Sequence, residues 1–125
     1  MATILIVEDE IMIRDMIERM LKIAGYTILT AGDGARAVSI ARSERPDLIL
    51  MDMGLPVLNG WQATHRIKSK DDTSSIPIIA LTAYALTEDR ERCLAVGCDD
   101  YETKPINFEL LLSKMRRCLA RTAVH

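Results

Sequence analysis

Apolar and polar residues follow two rhythms along the chain. Apolar runs at 4–7, 48–51 and 76–81, the last of them containing Pro77, read as short strands buried on both faces. Residues 26–31 and 99–102 are weaker strand candidates. Between these runs, apolar residues recur at helical spacing. Ile13, Ile17, Met20, Leu21 and Ala24 predict a first helix over 14–24, with Met16 and Met20 on its core side and Gly25 as its stop. A second helix over 35–43 faces inward through Ala37, Val38 and Ala41. Asn59-Gly60 opens a third that reaches about Lys70, and the polar stretch 69–75 is a loop. A fourth helix spans 87–96 and stops at Gly97. Asn107 caps a last one over 108–121.

Strands that alternate with helices imply an α/β fold with a parallel sheet covered on both faces. Right-handed crossovers make it doubly wound. The expected architecture is a five-stranded, flavodoxin-like three-layer sandwich of strand order 2-1-3-4-5. The 125 residues are the length of one domain, 1–125. No linker or repeat interrupts the pattern, and no output domain is expected.

Composition narrows the classes. A hydrophobic share of 49% with 27% charged residues suits a soluble globular chain. Sixteen basic and 18 acidic residues, net -2, argue against a dedicated nucleic-acid binder. Cys93, Cys98 and Cys118 form neither a Cys-x-x-Cys pair nor a Cys/His cluster, so they read as reduced thiols rather than as disulfides or zinc ligands. The N-terminal apolar run is too short for a signal peptide or a membrane span. A cytoplasmic location, without membrane contact, is expected.

The candidate chemistry is positional. The first strand ends in Glu8-Asp9, the third in Asp52, the fourth in Thr82, and the fifth just before Lys104. Parallel strands bring these ends to one edge of the sheet, where open α/β sheets bind ligands. Carboxylates gathered there repel one another unless something positive intervenes. Lys104 supplies one charge, and Mg²⁺, a hard cation that prefers carboxylate, water and phosphate oxygens, supplies more. A carboxylate can act as a nucleophile toward phosphorus. Phosphoryl transfer needs in-line placement and neutralised equatorial oxygens. The expectation is that Asp52 attacks while Mg²⁺, Lys104 and the Thr82 hydroxyl each take one oxygen.

The segments ILIVED (4–9), PDLILMD (46–52), Leu55-Pro56, Gly60, PIIALTA (77–83) and YETKP (101–105) together resemble the receiver domain of response regulators, over essentially the whole chain. The length is similar to that of single-domain, CheY-like receivers. The resemblance implies Asp52 as phosphoacceptor, Glu8 and Asp9 as the acidic pair for Mg²⁺, and the Gly54 carbonyl as a further ligand. It implies Thr82 as the switch hydroxyl, Tyr101 as the aromatic switch residue, Lys104 as the phosphate-binding lysine and a cis bond before Pro105. The resemblance also implies that Gly54 and Tyr84 occupy positions that tune hydrolysis of the acyl phosphate. The implied role is a phosphorelay switch rather than a separate enzyme. A histidine kinase or histidine phosphotransfer protein would donate the phosphoryl group, and a downstream protein target would read it, from a monomer or weak dimer.

Other residues carry less. Trp61 reads as packing, His65 as solvent-facing and His125 as a disordered terminus. Ile11 and Met12, apolar beside Asp9, are candidates for partner docking. Three competing functions are weighed against the switch. A phosphatase with an aspartyl-phosphate intermediate usually has a second Asp where Gly54 stands. A flavodoxin-like cofactor binder needs a phosphate loop after the first strand. An interaction domain independent of phosphorylation would not need the complete acidic site.

Overall fold

The computed structural model describes residues 2–83 and 87–123, and at 87–89 and 122–123 the backbone alone. Tyr84 and His125 lie outside the described residues. Strands β1 (Thr3–Val7), β2 (Thr27–Ala31), β3 (Leu48–Asp52), β4 (Ile78–Thr82) and β5 (Asp100–Thr103) alternate with helices α1 (Ile11–Ile23), α2 (Gly34–Glu44), α3 (Gly60–Lys68), α4 (Thr87–Val96) and α5 (Phe108–Ala123). The strands form one parallel sheet of order β2-β1-β3-β4-β5. The expected doubly wound fold is the one observed.

Period-two alternation divides the central strands between two cores. Leu5, Val7, Ile49, Met51, Ile78 and Ala80 face α2, α3 and α4, meeting Ala37, Ala41, Ala63, Ile67 and Cys93. Ile4, Ile6, Leu48, Leu50, Ile79 and Leu81 face α1 and α5, meeting Ile17, Leu21, Leu111, Met115 and Cys118. Each such aliphatic side chain contributes about 1.5–3 kcal/mol by leaving water. All three cysteines are buried, and none of them is in a disulfide.

Caps set several helix starts. The Asn59 side chain accepts from Gln62 N at 2.9 Å, while Gln62 Oε1 accepts from Asn59 N at 3.2 Å, a reciprocal capping box. Asn107 accepts from Leu110 N at 3.1 Å. Asp33 caps α2 in the same way, which the pattern of apolar positions did not reveal. Both glycine stops carry positive φ, 100° at Gly25 and 101° at Gly97.

Three expectations need correction. Helix α1 begins at Ile11, a full turn before the apolar periodicity becomes regular. Its buried residues are Ile17 and Leu21, whereas Met16 and Met20 are 48% and 39% exposed and outside the core. The inward face is the narrow i, i+4 row, and 16 and 20 lie about 100° around the helix from it. Strand β4 begins at Ile78, because Ile76 N turns back to Thr73 O and Pro77 has no N–H to give. Among the described residues, no helix is long and apolar enough to cross a membrane.

Candidate functional site

The strand register decides which side chains meet. Val7 pairs with Met51, so Glu8 comes level with Asp52. Asp52 pairs with Leu81 and Thr82 with Thr103, so Thr82 and Lys104 follow one step farther along. Lys104 N donates to Thr82 O at 2.8 Å and extends that ladder past the end of β5. The Lys104–Pro105 peptide is cis. Gly60 closes the floor: its N donates to Met53 O at 3.2 Å, and a Cβ there would lie 2.3 Å from Asp52 O. Only glycine lets α3 start so close to the end of β3.

The result is a pocket of about 480 Å³ at the carboxyl edge of the sheet. Glu8, Asp9, Asp52, Gly54, Thr82 and Lys104 line it, so the sequence-predicted acidic, hydroxyl and lysine residues are brought together. Tyr101 and the docking candidates are not among its lining residues. Tyr101 packs half-buried against the α2–α3–α4 core, with the Arg90 and Lys114 charges each 5.1 Å from its ring centre. Ile11 and Met12 stand on the first turn of α1, 63% and 85% exposed. His65 is exposed, as its position suggested.

Glu8 and Asp52 are buried while Asp9 is exposed, and one carboxylate oxygen of each falls within 4.8 Å of the others. Lys104 Nζ bridges the buried pair, 3.2 Å from Glu8 Oε1 and 3.3 Å from Asp52 Oδ2. Asp52 Oδ1 accepts from Gly54 N at 3.1 Å. One lysine does not balance the cluster. Burial, then the hydrogen bond and repulsion from Asp52, push the Glu8 carboxyl up to about 8 against the pull of Lys104. Burial lowers the Lys104 ammonium, but Asp52 and Glu8 more than offset it and hold its pKa above the ordinary lysine value. Glu8 Oε2 is buried without a hydrogen-bond partner.

An orphaned carboxylate oxygen beside two further carboxylates is a donor set for a hard divalent cation. The residues fit one. Thr82 is 5% exposed at the pocket wall. A Cβ on Gly54 would sit 3.9 Å from Asp52 Oδ1, so glycine leaves that flank of the Asp52 carboxylate open.

Trp61 and Arg92 are among the lining residues that escaped the sequence reading. Trp61, expected to pack, does lean on the core, but it also lines the pocket. Arg92 lines it from α4, with its guanidinium carbon 4.4 Å from the Trp61 ring centre. Trp61 was legible in part, because it follows the glycine that locks α3 onto β3. Nothing local marks Arg92, since packing of α4 against α3 is what brings it there.

Known proteins agree with this geometry. The response regulator receiver domain model matches residues 4–116. A probable transcriptional regulatory protein, TcrX of Mycobacterium tuberculosis, is 38% identical over 98% of the chain and 51% of its own length. The polar-differentiation response regulator DivK of Brucella anthropi is 35% identical over 94% of the chain and 95% of its own. The chain thus spans about half the length of the first curated relatives it matches. Among solved structures, the receiver domain of a Pseudomonas aeruginosa sensor histidine kinase has a TM-score of 0.89 at 43% identity, covering 95% of this chain and 98% of that one. That structure has a magnesium ion coordinated in its active site cleft. The chemotaxis protein CheY4 of Vibrio cholerae has the same TM-score at 35% identity, covering 94% and 98%.

Proposed function

The chain belongs to the response regulator receiver domain family, whose general role is phosphorylation-dependent signalling, and on that premise we propose that Asp52 is its phosphoacceptor. The observation that carries this reading is the Lys104 bridge between Asp52 and a Glu8 carboxylate whose second oxygen is orphaned. Such a site is built for more positive charge than the chain supplies. Glu8, Asp9, Asp52 and the Gly54 carbonyl would hold Mg²⁺. When bound, the ion offsets the carboxylates' repulsion and neutralises phosphoryl oxygens.

The chain's own residues perform the rest. Asp52 Oδ attacks phosphorus in line, and the donor's leaving group departs on the opposite side. Lys104, swinging from its carboxylate partners, takes one phosphoryl oxygen and the Thr82 hydroxyl another. The movement of Thr82 is read at Tyr101, which joins β5 to α4 and α5 through its flanking cations. The protein assists its own phosphorylation and dephosphorylation and has no separate substrate. A histidine kinase or phosphotransfer protein in the cytoplasm is the donor, docking through Ile11 and Met12. A protein target reads the changed α4–β5–α5 face of a monomer or weak dimer.

The test is incubation with Mg²⁺ and acetyl phosphate, followed by mass spectrometry of the intact chain. Wild type should gain one phosphoryl group, and Asp52→Asn none. An adduct that survives Asp52→Asn overturns the assignment.

A further inference from the structure

We infer that Arg92, stacked on Trp61 at the rim of the pocket, selects phosphodonors whose leaving group is anionic. This rests on the reading of Asp52 as acceptor. Asp52 is only 6% exposed and forms the floor, whereas Arg92 is exposed and marks the solvent side. In-line displacement sends the leaving group away from Asp52, and therefore toward that rim.

The charges there are uneven. Asp9 and Glu10 border the same pocket and repel an approaching dianion. Lys104 and Arg92 are the two cations among its described lining residues. Lys104 pairs with Glu8 and Asp52 at the floor and in the proposed reaction turns to a phosphoryl oxygen, so it does not serve the leaving group. Arg92 has no carboxylate partner among the described residues. The indole face instead holds its guanidinium by a cation–π contact at 4.4 Å. A cation–π contact does not spend the guanidinium's N–H donors on hydrogen bonds, so they remain available to an anion.

Two small donors separate charge from general reactivity. With acetyl phosphate, an Asp52 oxygen forms the new O–P bond as the acyl P–O bond breaks, and the electron pair leaves with acetate. With phosphoramidate, the same O–P bond forms as the P–N bond breaks, and the already protonated nitrogen leaves as neutral ammonia. Only the first places a carboxylate at the rim beside Arg92.

Arg92→Gln should slow phosphorylation by acetyl phosphate about tenfold at low ionic strength, at the lower end of electrostatic steering effects. It should slow phosphorylation by phosphoramidate several-fold less, because that donor carries less negative charge and its leaving group carries none. The difference should shrink in high salt, while Arg92→Lys should keep most of the wild-type preference. Rates are read by acid quench and mass spectrometry, and the phosphoramidate arm controls for folding. Equal slowing with both donors, no slowing with either, or an Arg92→Lys protein that behaves as Arg92→Gln would each overturn the inference. Wild type that gains no adduct from either donor sinks the acceptor reading itself. Wild type labelled at Asp52, with a donor preference unmoved by Arg92→Gln, sinks only the role given to Arg92.

Discussion

At the amino edge of the sheet, Lys68 Nζ donates to Ile76 O at 2.6 Å, Ser74 O at 3.2 Å and Asp99 Oδ2 at 2.9 Å. Asp99 Oδ2 also accepts from Ile78 N at 2.8 Å. One cation meets one carboxylate there, and their remaining capacity is spent on the backbone that starts β4 and β5. The carboxyl edge holds the same two kinds of group in different proportion. Lys104 faces two buried carboxylates with Asp9 beside them, and Glu8 Oε2 has no partner. The amino edge also has a cleft, larger at about 650 Å³, but its central charges are already paired. Pocket size therefore does not distinguish the two ends. Unbalanced buried charge does, and it marks the edge that awaits a ligand.

The comparison is broken most directly by pH. Below pH 4.5, Glu8 is protonated in both folded and unfolded chains. Between 4.5 and about 8 the unfolded chain has released that proton while the metal-free folded chain keeps it. The native state then binds more protons, so stability falls as pH rises through this window and levels off above it. The slope is at most about 1.4 kcal/mol per pH unit, that of one proton. Urea unfolding at several pH values should show this decline without Mg²⁺, and saturating Mg²⁺ or Glu8→Gln should flatten it. A metal-free stability that rises across the same window would mean that the carboxyl edge is balanced after all.

Lys68→Met tests the opposite end. It removes three hydrogen bonds and leaves Asp99 without its cation in a half-exposed site. The expected loss is about 2 kcal/mol, between that of a surface pair and that of a buried one. Mg²⁺ affinity should not change, because the substitution lies at the far edge of the sheet. Equilibrium unfolding with and without Mg²⁺ checks both. A change in Mg²⁺ affinity would show that the two edges are coupled.

The contrast between the edges was half legible in the residue order. Aliphatic runs ending in Glu8-Asp9, Asp52 and Thr82 located the carboxyl edge, because pure apolar strands bury both faces and leave their ends as the polar positions. The half-exposed Lys68–Asp99 pair was not legible: 31 residues separate its members, and either alone resembles a surface charge. Arg92 was hidden for the same reason. The misplacement of Met16 and Met20 has another cause. Helical spacing reports how wide an apolar stripe is, not how much of it a neighbour covers. With Met12 and Ile23, these methionines border an open apolar groove.

The smallest effect concerns the loop between β3 and α3. Val57 adopts a φ of 67°, a region that β-branched residues avoid, and is 87% exposed. Its exposed side chain gains little from packing to offset that strain. The constraint comes from its neighbours: Leu58 N donates to Pro56 O at 2.8 Å, and Gly60 then locks onto Met53 O. The loop is thus held in a strained turn by the contacts that shape the pocket floor. Val57→Asn should relieve it, since asparagine tolerates this conformation, and should stabilise the chain by about 1 kcal/mol. If the strain serves only loop closure, Mg²⁺ affinity and the acetyl phosphate rate will be unchanged while the melting temperature rises. If the substitution stabilises the fold and weakens Mg²⁺ binding together, Val57 belongs with the unbalanced charges, as a second stress that the bound state relieves.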